Sequence, residues 1–390
     1  MVRRAPIAAR VPPWALLLCL GGLPAAPALA QGPPTAFWDF SLHVAESWYS
    51  NRDLTTASPS VSNTRAGGGI AYTRNSPLSQ FSLSADAAYS FDNQQQGRNR
   101  VNYSGGLSWS KRLGPRTSLQ FREAVSQSYS QTAPILAEVG LVYPYTLIRT
   151  NSTSLSLSQQ LSTRTSISLG GRYDWVDFPD AALSSAYFGQ ISGQQATGTV
   201  DLAQVVSEFD QLGLGYAYRW SDTRGPVFHN NNLSASWTRR LGKTTSASVS
   251  LGASYWTAPA LGVSQYILIA SSSLRGQLGR TTYTASYSRA PQQAFGIGSE
   301  RIADVLSLTL SRTLTRSLSF SGRGVRTWGR DLVDPSFKFD TQALSLALQY
   351  RPWPQLSFGG GYAWTRVALN GVVLDSHSLD LTASYGWRWQ

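Results

Sequence analysis

The chain has one cysteine and one methionine in 390 residues, Cys19 and Met1. Beyond residue 31 it has no cysteine, so that stretch is expected to form no disulfide and to offer no thiolate metal site. Lysine is scarce there as well. Lys111, Lys243 and Lys338 are the only ones, and every other cation is arginine. No continuous run of about 18 apolar residues follows residue 31, which excludes a transmembrane helix. No carboxylate-rich loop suggests a calcium cage, no histidine cluster suggests zinc, and no cofactor is expected. The glycines of Ala66-Gly67-Gly68-Gly69 and Phe358-Gly359-Gly360-Gly361 sit in strand-like segments. A phosphate cradle would need a following helix.

The first thirty residues read as an export leader. Arg3, Arg4 and Arg10 supply a positive start, Trp14 to Leu20 a short apolar stretch, and Ala28-Leu29-Ala30 a small-x-small cleavage site before Gln31. The Arg3-Arg4 pair lacks a following Phe-Leu, which favours ordinary unfolded secretion over twin-arginine export. Leu16-Leu17-Leu18 before Cys19 lacks the small residue that lipoprotein processing prefers. The three leader arginines account for three of the formal +12, so the remainder carries +9. The expected division is a signal peptide over 1–30 and a single domain over 31–390.

What the remainder does have is repetition. Leu113-Gly114-Pro115-Arg116-Thr117, Leu161-Ser162-Thr163-Arg164-Thr165, Leu241-Gly242-Lys243-Thr244-Thr245, Leu278-Gly279-Arg280-Thr281-Thr282 and Leu314-Thr315-Arg316-Ser317 are near copies, and Arg351-Pro352-Trp353-Pro354 is related. The leucines are spaced by 48, 80, 37 and 36 residues. A period of this size signals repeated supersecondary units. Two membrane-crossing strands with a turn and a loop fill about 36 to 48 residues. Each turn lies between runs of alternating apolar and small polar residues. In the last, Leu379, Leu381, Ala383, Tyr385, Trp387 and Trp389 alternate with Asp380, Thr382, Ser384, Gly386 and Arg388. A period of two over that length is a strand with one apolar and one polar face.

Three features favour a membrane barrel over a soluble sandwich. The strands exceed the usual five or six residues. Aromatics gather at strand ends, as in an interfacial girdle. The polar faces are rich in Ser, Thr and Gly, with few charges. An open edge in hydrocarbon would leave backbone groups unpaired, so the sheet must close. Seven turns are visible, around Asn75-Ser76-Pro77 and near residues 114, 162, 242, 279, 315 and 352. The 80-residue gap predicts an eighth near Ser207-Glu208-Phe209. Eight turns with both termini on one side give eighteen strands. Short turns belong in the periplasm, so both termini are predicted to be periplasmic. The stretch Gln190 to Val206 alternates poorly. The apolar loop 130–150 reads either as a constriction folded into the lumen or as a cap on the rim.

This chain resembles the bacterial outer-membrane β-barrel proteins. The resemblance is carried by this architecture and by the closing strand Thr382-Ala383-Ser384-Tyr385-Gly386-Trp387-Arg388-Trp389. Thr382, Trp387 and Trp389 match the family's assembly signal, while Ser384 replaces the usual glycine and Gln390 follows the last aromatic. The resemblance implies an all-β, antiparallel up-and-down transmembrane barrel in the outer membrane of a Gram-negative-type bacterium. It also implies outer-membrane lipid and the barrel assembly machinery as partners, with no nucleic acid. A narrower similarity is to the eighteen-stranded barrels that act with exopolysaccharide export systems. It rests on strand number and the Ser/Thr/Gly lumen.

Residues with chemistry follow from this frame. Arg122, Arg172, Arg219 and Arg388 lie within walls and are predicted to face the lumen, because arginine facing lipid at the midplane costs about 2–4 kcal/mol. Glu123, Asp174 and Asp380 are candidate partners. Lys111, Arg112, Arg116, Arg164, Arg239, Arg240, Lys243, Arg280, Arg312, Arg316 and Arg351 fall at or beside the short turns, as a candidate periplasmic basic ring. Such a ring binds lipid phosphates or gathers anionic solutes. His43, in the first strand, and His377, opening the last, are expected on neighbouring strands at different heights, with His229 in a loop. No catalytic constellation emerges, so no enzymatic role is expected. The reading put first is passage of a polysaccharide, with periplasmic export components as partners. The alternative is a general porin for small hydrophilic or anionic solutes. An outer-membrane enzyme and a plugged structural barrel come after these.

Overall fold

A computed structural model describes residues 35–51, 60–92, 100–129, 147–179, 192–222, 226–294, 299–369 and 371–389. The loop 130–150 lies largely outside them. Eighteen strands follow one another: β1 (Thr35–Tyr49), β2 (Val61–Ser76), β3 (Ser79–Asp92), β4 (Arg100–Gly114), β5 (Thr117–Tyr129), β6 (Leu147–Gln160), β7 (Thr165–Asp177), β8 (Gly193–Val205) and β9 (Asp210–Asp222). The second half continues with β10 (Val227–Arg240), β11 (Ser246–Ala258), β12 (Val263–Leu278), β13 (Thr281–Ala294), β14 (Ser299–Thr313), β15 (Leu318–Asp331), β16 (Lys338–Tyr350), β17 (Leu356–Leu369) and β18 (Val372–Trp389). Every strand pairs antiparallel with its sequence neighbours, and β18 closes on β1 from Trp38↔Trp389 to Tyr49↔Ser378. The eighteen strands and their up-and-down closure are as the turns predicted. The poorly alternating stretch before Val206 is strand β8.

The eight even-to-odd turns and both described termini lie at one end of this ring. The turn inferred from a gap in spacing is real, joining β8 to β9 through Val206–Phe209. It is built like its relatives. The Ser207 hydroxyl accepts the backbone N–H groups of Phe209 and Asp210 at 3.1 and 3.0 Å. Ser162 does the same for Arg164 and Thr165, and Thr315 for Ser317 and Leu318. A short hydroxyl side chain caps these three turns, while Gly114, Gly242 and Gly279 stand at the matching position of theirs.

The two faces separate as the period-two pattern requires. Leu214, Leu233, Leu251 and Leu268 are exposed on the outer face. Tyr218, Tyr255 and Tyr266 bound that apolar band at one end, and Trp237, Trp387 and Trp389 at the other. The inner face carries paired hydroxyls across strands: Ser248 with Ser273 at 2.8 Å, Ser286 with Ser307 at 2.7 Å, Ser126 with Thr150 at 2.7 Å and Ser357 with Ser384 at 2.6 Å. A belt of apolar side chains outside and a polar interior is the inverse of a soluble domain. It is the arrangement of a transmembrane barrel.

Candidate pore constriction

One hairpin leaves the wall. β12 pairs with β13 only from Leu278↔Thr281 up to Ala270↔Arg289. Above that point β12 runs on to Val263 while β13 runs on to Ala294, and the two no longer pair. β13 stays bonded to β14 as far as Ala294↔Ser299, and β14 to β15 as far as Arg301↔Asp331. The described ends of β13 and β14 therefore turn into the interior together. Contacts prove the direction. Ile302 shares the outer-face parity of Leu306 and Leu308, yet it packs in one buried cluster with Phe228, Trp256 and Ile267 from the inner faces of β10, β11 and β12.

Pro291 marks the departure. A proline has no N–H to donate to a ladder, so it belongs on an edge. Its carbonyl oxygen is taken by Arg219 Nη1 at 3.0 Å, a side chain standing in for the lost strand. The other nitrogen, Arg219 Nη2, donates to both carboxylate oxygens of Glu300 at 3.1 Å. Glu300 is fully buried and accepts two further hydrogen bonds, from Ser221 Oγ and Trp256 Nε1, each at 2.6 Å. A buried carboxylate is tolerable only when paired and hydrogen-bonded in this way. Phe228, Ala258, Ile267, Ile302 and Leu332 surround the group, and the Phe228 and Trp256 rings stack at 5.7 Å. On the far face of the hairpin, the Arg301 guanidinium sits 4.3 Å over the Phe339 ring. At the bend, Asp304 accepts from Arg289 at 2.8 Å and from the Tyr287 hydroxyl at 2.6 Å.

The root of the hairpin is sterically fixed. A Cβ on Gly329 would overlap the carbonyl oxygen of Ile302 and crowd Ala303. Gly329→Ala is expected to push β15 off β14 there, at about 1–3 kcal/mol. A lowered denaturant midpoint checks this; an unchanged midpoint would show that the strands have slack.

The four lumen-candidate arginines fall on inner-face positions. Arg172 pairs with the buried Asp174 at 2.9 Å, which also accepts from Ser152 and Gln195. Arg219 meets Glu300. Arg388 pairs across the closure with Asp39 at 2.7 Å and lies 4.0 Å over the Phe37 ring. Arg122 is exposed and has no ion pair among the described residues. Of the suggested partners, Asp174 is used. Glu123 is not, because it lies on the outer face and accepts from Asn151 at 2.6 Å and from Thr153 at 2.5 Å. Adjacent strand residues point to opposite faces, so Arg122 and Glu123 are separated by the wall itself. Asp380 is on the inner face without an ion pair among the described residues. Arg323, on the inner face of β15, likewise has none. It was missed because Gly322 and Gly324 blur the alternation around it.

The eleven cations of the candidate ring all lie at the turn end, on turns or strand ends, and all but Lys111 are exposed. Trp387 and Trp389 face outward, Trp387 stacking on Phe40 at 5.4 Å, while Thr382 faces the lumen. His43 faces inward, 3.6 Å from Asp86. His377 lies outward near the opposite rim, bonded to the Tyr362 hydroxyl at 2.8 Å. His229 is in β10 rather than a loop, bonded to the Tyr218 hydroxyl at 2.8 Å. The three do not meet.

No protein-family model and no curated protein matches this sequence. Solved structures do match in fold. Pseudomonas aeruginosa OccK9 (OpdG) is 12% identical with a TM-score of 0.52, covering 91% of this chain and 98% of that one. Pseudomonas aeruginosa OccK7 (OpdD) is also 12% identical with a TM-score of 0.50, covering 92% and 99%. Identity at this level speaks for fold alone, and the chain has a porin-like, eighteen-stranded barrel fold similar to these two structures.

Proposed function

We propose that this barrel is an outer-membrane channel for small hydrophilic solutes, with a preference for anions. A barrel of 16–18 strands encloses a water-filled passage rather than a packed core. The observation that carries the preference is a hydroxyl-lined lumen in which Arg65, Arg100, Arg122 and Arg323 have no ion pair among the described residues and outnumber unpaired carboxylates such as Asp380. Cations on low-dielectric walls focus field and concentrate anions. The ring at the turn end would extend that field to the mouth, and its arginines also suit lipid phosphates. The fold likeness to porins favours this reading over polysaccharide export. The inward hairpin favours it too, since it fills part of the interior a passing glycan would need.

Reversal potentials in planar bilayers test the preference. Arg122→Glu and Arg323→Glu are each expected to lower the chloride-to-potassium permeability ratio severalfold. A ratio that does not move in the double variant would sink it. Block of the current by a long polysaccharide but not by small carboxylates would return the export reading to first place. Residues 1–30 act as the export leader in this account, and both termini are periplasmic, where the turns lie. The barrel assembly machinery reads the closing strand through Thr382, Trp387 and Trp389. The mass of the mature chain should correspond to a start at Gln31; an uncleaved chain in the outer membrane would refute the leader.

A further inference from the structure

The hairpin that enters the lumen leaves a gap behind it. Seven residues of β12, Val263 to Ile269, have no partner strand on the β13 side. The depth of this gap can be read from the outer face. Its upper part is marked by Tyr266, whose ring packs on that of Tyr255 at 4.8 Å within the aromatic girdle. Its lower end, Ala270, pairs with Leu251 inside the apolar band. The unpaired edge therefore reaches down into the leaflet on the long-loop side. Tyr266 is 80% and Leu268 66% exposed, more than the other leucines and tyrosines within the strand walls apart from the turn-end Leu278. Unpaired backbone at that depth is tolerated only where it is buried in protein or lines a cavity or passage.

Behind the gap the lining is apolar. Ile267 of β12 and Ile302 of the hairpin meet there, with Leu332 beyond them, and Gln265 reaches the Leu332 carbonyl at 3.5 Å. These side chains separate the leaflet from the lumen with no strand ladder between. The Arg219–Glu300 pair is what holds the hairpin against the inner face of β9, four strands round from β13.

We propose that the gap between β12 and β13 is a lateral portal between the lumen and the leaflet on the long-loop side, and that it takes single-chain amphiphiles. The tail would enter at Tyr266 and Leu268 and slide between Ile267 and Ile302, with the headgroup in the polar lumen. The hairpin is the door and Glu300 its latch. This rests on the transmembrane pore reading.

Photo-crosslinking of the full chain in lipid vesicles tests it, with radiolabelled dodecanoate as the probe. Benzoylphenylalanine is placed at Ile267 or at Ile302, both buried behind the gap, and at Val367, equally buried on the inner face of a strand paired on both sides. Two sites guard against one variant failing to fold, which circular dichroism would report. Labelling at 267 and 302 is expected to exceed that at 367 severalfold, and to rise further with Glu300→Gln. Labelling no greater than at 367 would overturn the portal. Ion conductance of the same preparations reports the pore separately, so a conducting channel without labelling removes the portal and leaves the pore.

Discussion

Glu300→Ala is expected to free the inward hairpin. The substitution leaves Arg219, whose side chain is only 14% exposed, without its counter-charge. It also deprives Ser221 and Trp256 of their acceptor. Removing one partner of a buried pair costs about 3–5 kcal/mol, because the other charge stays buried alone. The hairpin is held to the inner faces of β9 to β12 by this group and its apolar collar, so most of that cost should appear as local opening. Single-channel conductance should rise and become noisy while the remaining strands stay folded. Arg219→Ala should act the same way and also orphan the Pro291 carbonyl. The double variant should cost less than the two singles added, since no buried charge is left over. Quiet, wild-type conductance in both single variants would show that the apolar packing alone holds the hairpin.

A charge on the wall should separate the two faces with equal clarity. Leu251 is 59% exposed on the outer face of β11, in the apolar band between Trp237 and the Tyr255–Tyr266 pair. Leu251→Arg is expected to destabilise the barrel in bilayers by about 2–4 kcal/mol, the cost of arginine against hydrocarbon. Ser250→Arg, one residue away on the lumen face, should change stability little and raise anion preference. Unfolding titrations in vesicles of the two variants decide the matter. If Ser250→Arg proved the more damaging, the faces would be assigned the wrong way round.

Much of this architecture is written into single strands. β11, β16, β17 and β18 alternate cleanly, because each side chain meets either lipid or water. Short turns recur because the wall must reverse eight times at the same end, and a hydroxyl caps those at Ser76, Ser162, Ser207 and Thr315. A missing turn could be located at Ser207 from spacing alone. The hairpin was not legible in that way. Its defining contact joins Arg219 to Glu300, separated by 81 residues and brought together only because the hairpin folds over β9 to β12, and no local period encodes such a contact. Pro291 was the available signal: a proline inside a strand pattern demotes that stretch to an edge. The face of Glu123 is legible too, since a neighbour of a lumen-facing arginine must point outward and cannot be its partner. Pro226 points to a loop around His229, although the strand begins one residue after that proline. Asp39, the partner of Arg388, becomes visible only once the first and last strands are laid side by side.

The closure of β18 on β1 has a consequence for how the molecule can be made. Trp38 and Trp389 stand opposite each other, so the described ends are adjacent in space and the finished ring has no privileged first strand. Chains cut open at a loop and rejoined between the native ends would have the same neighbours and the same faces. What they would lose is order of events. In the native chain the pair farthest apart in sequence must form to complete the ring, which imposes the largest loop-closure entropy on the final step.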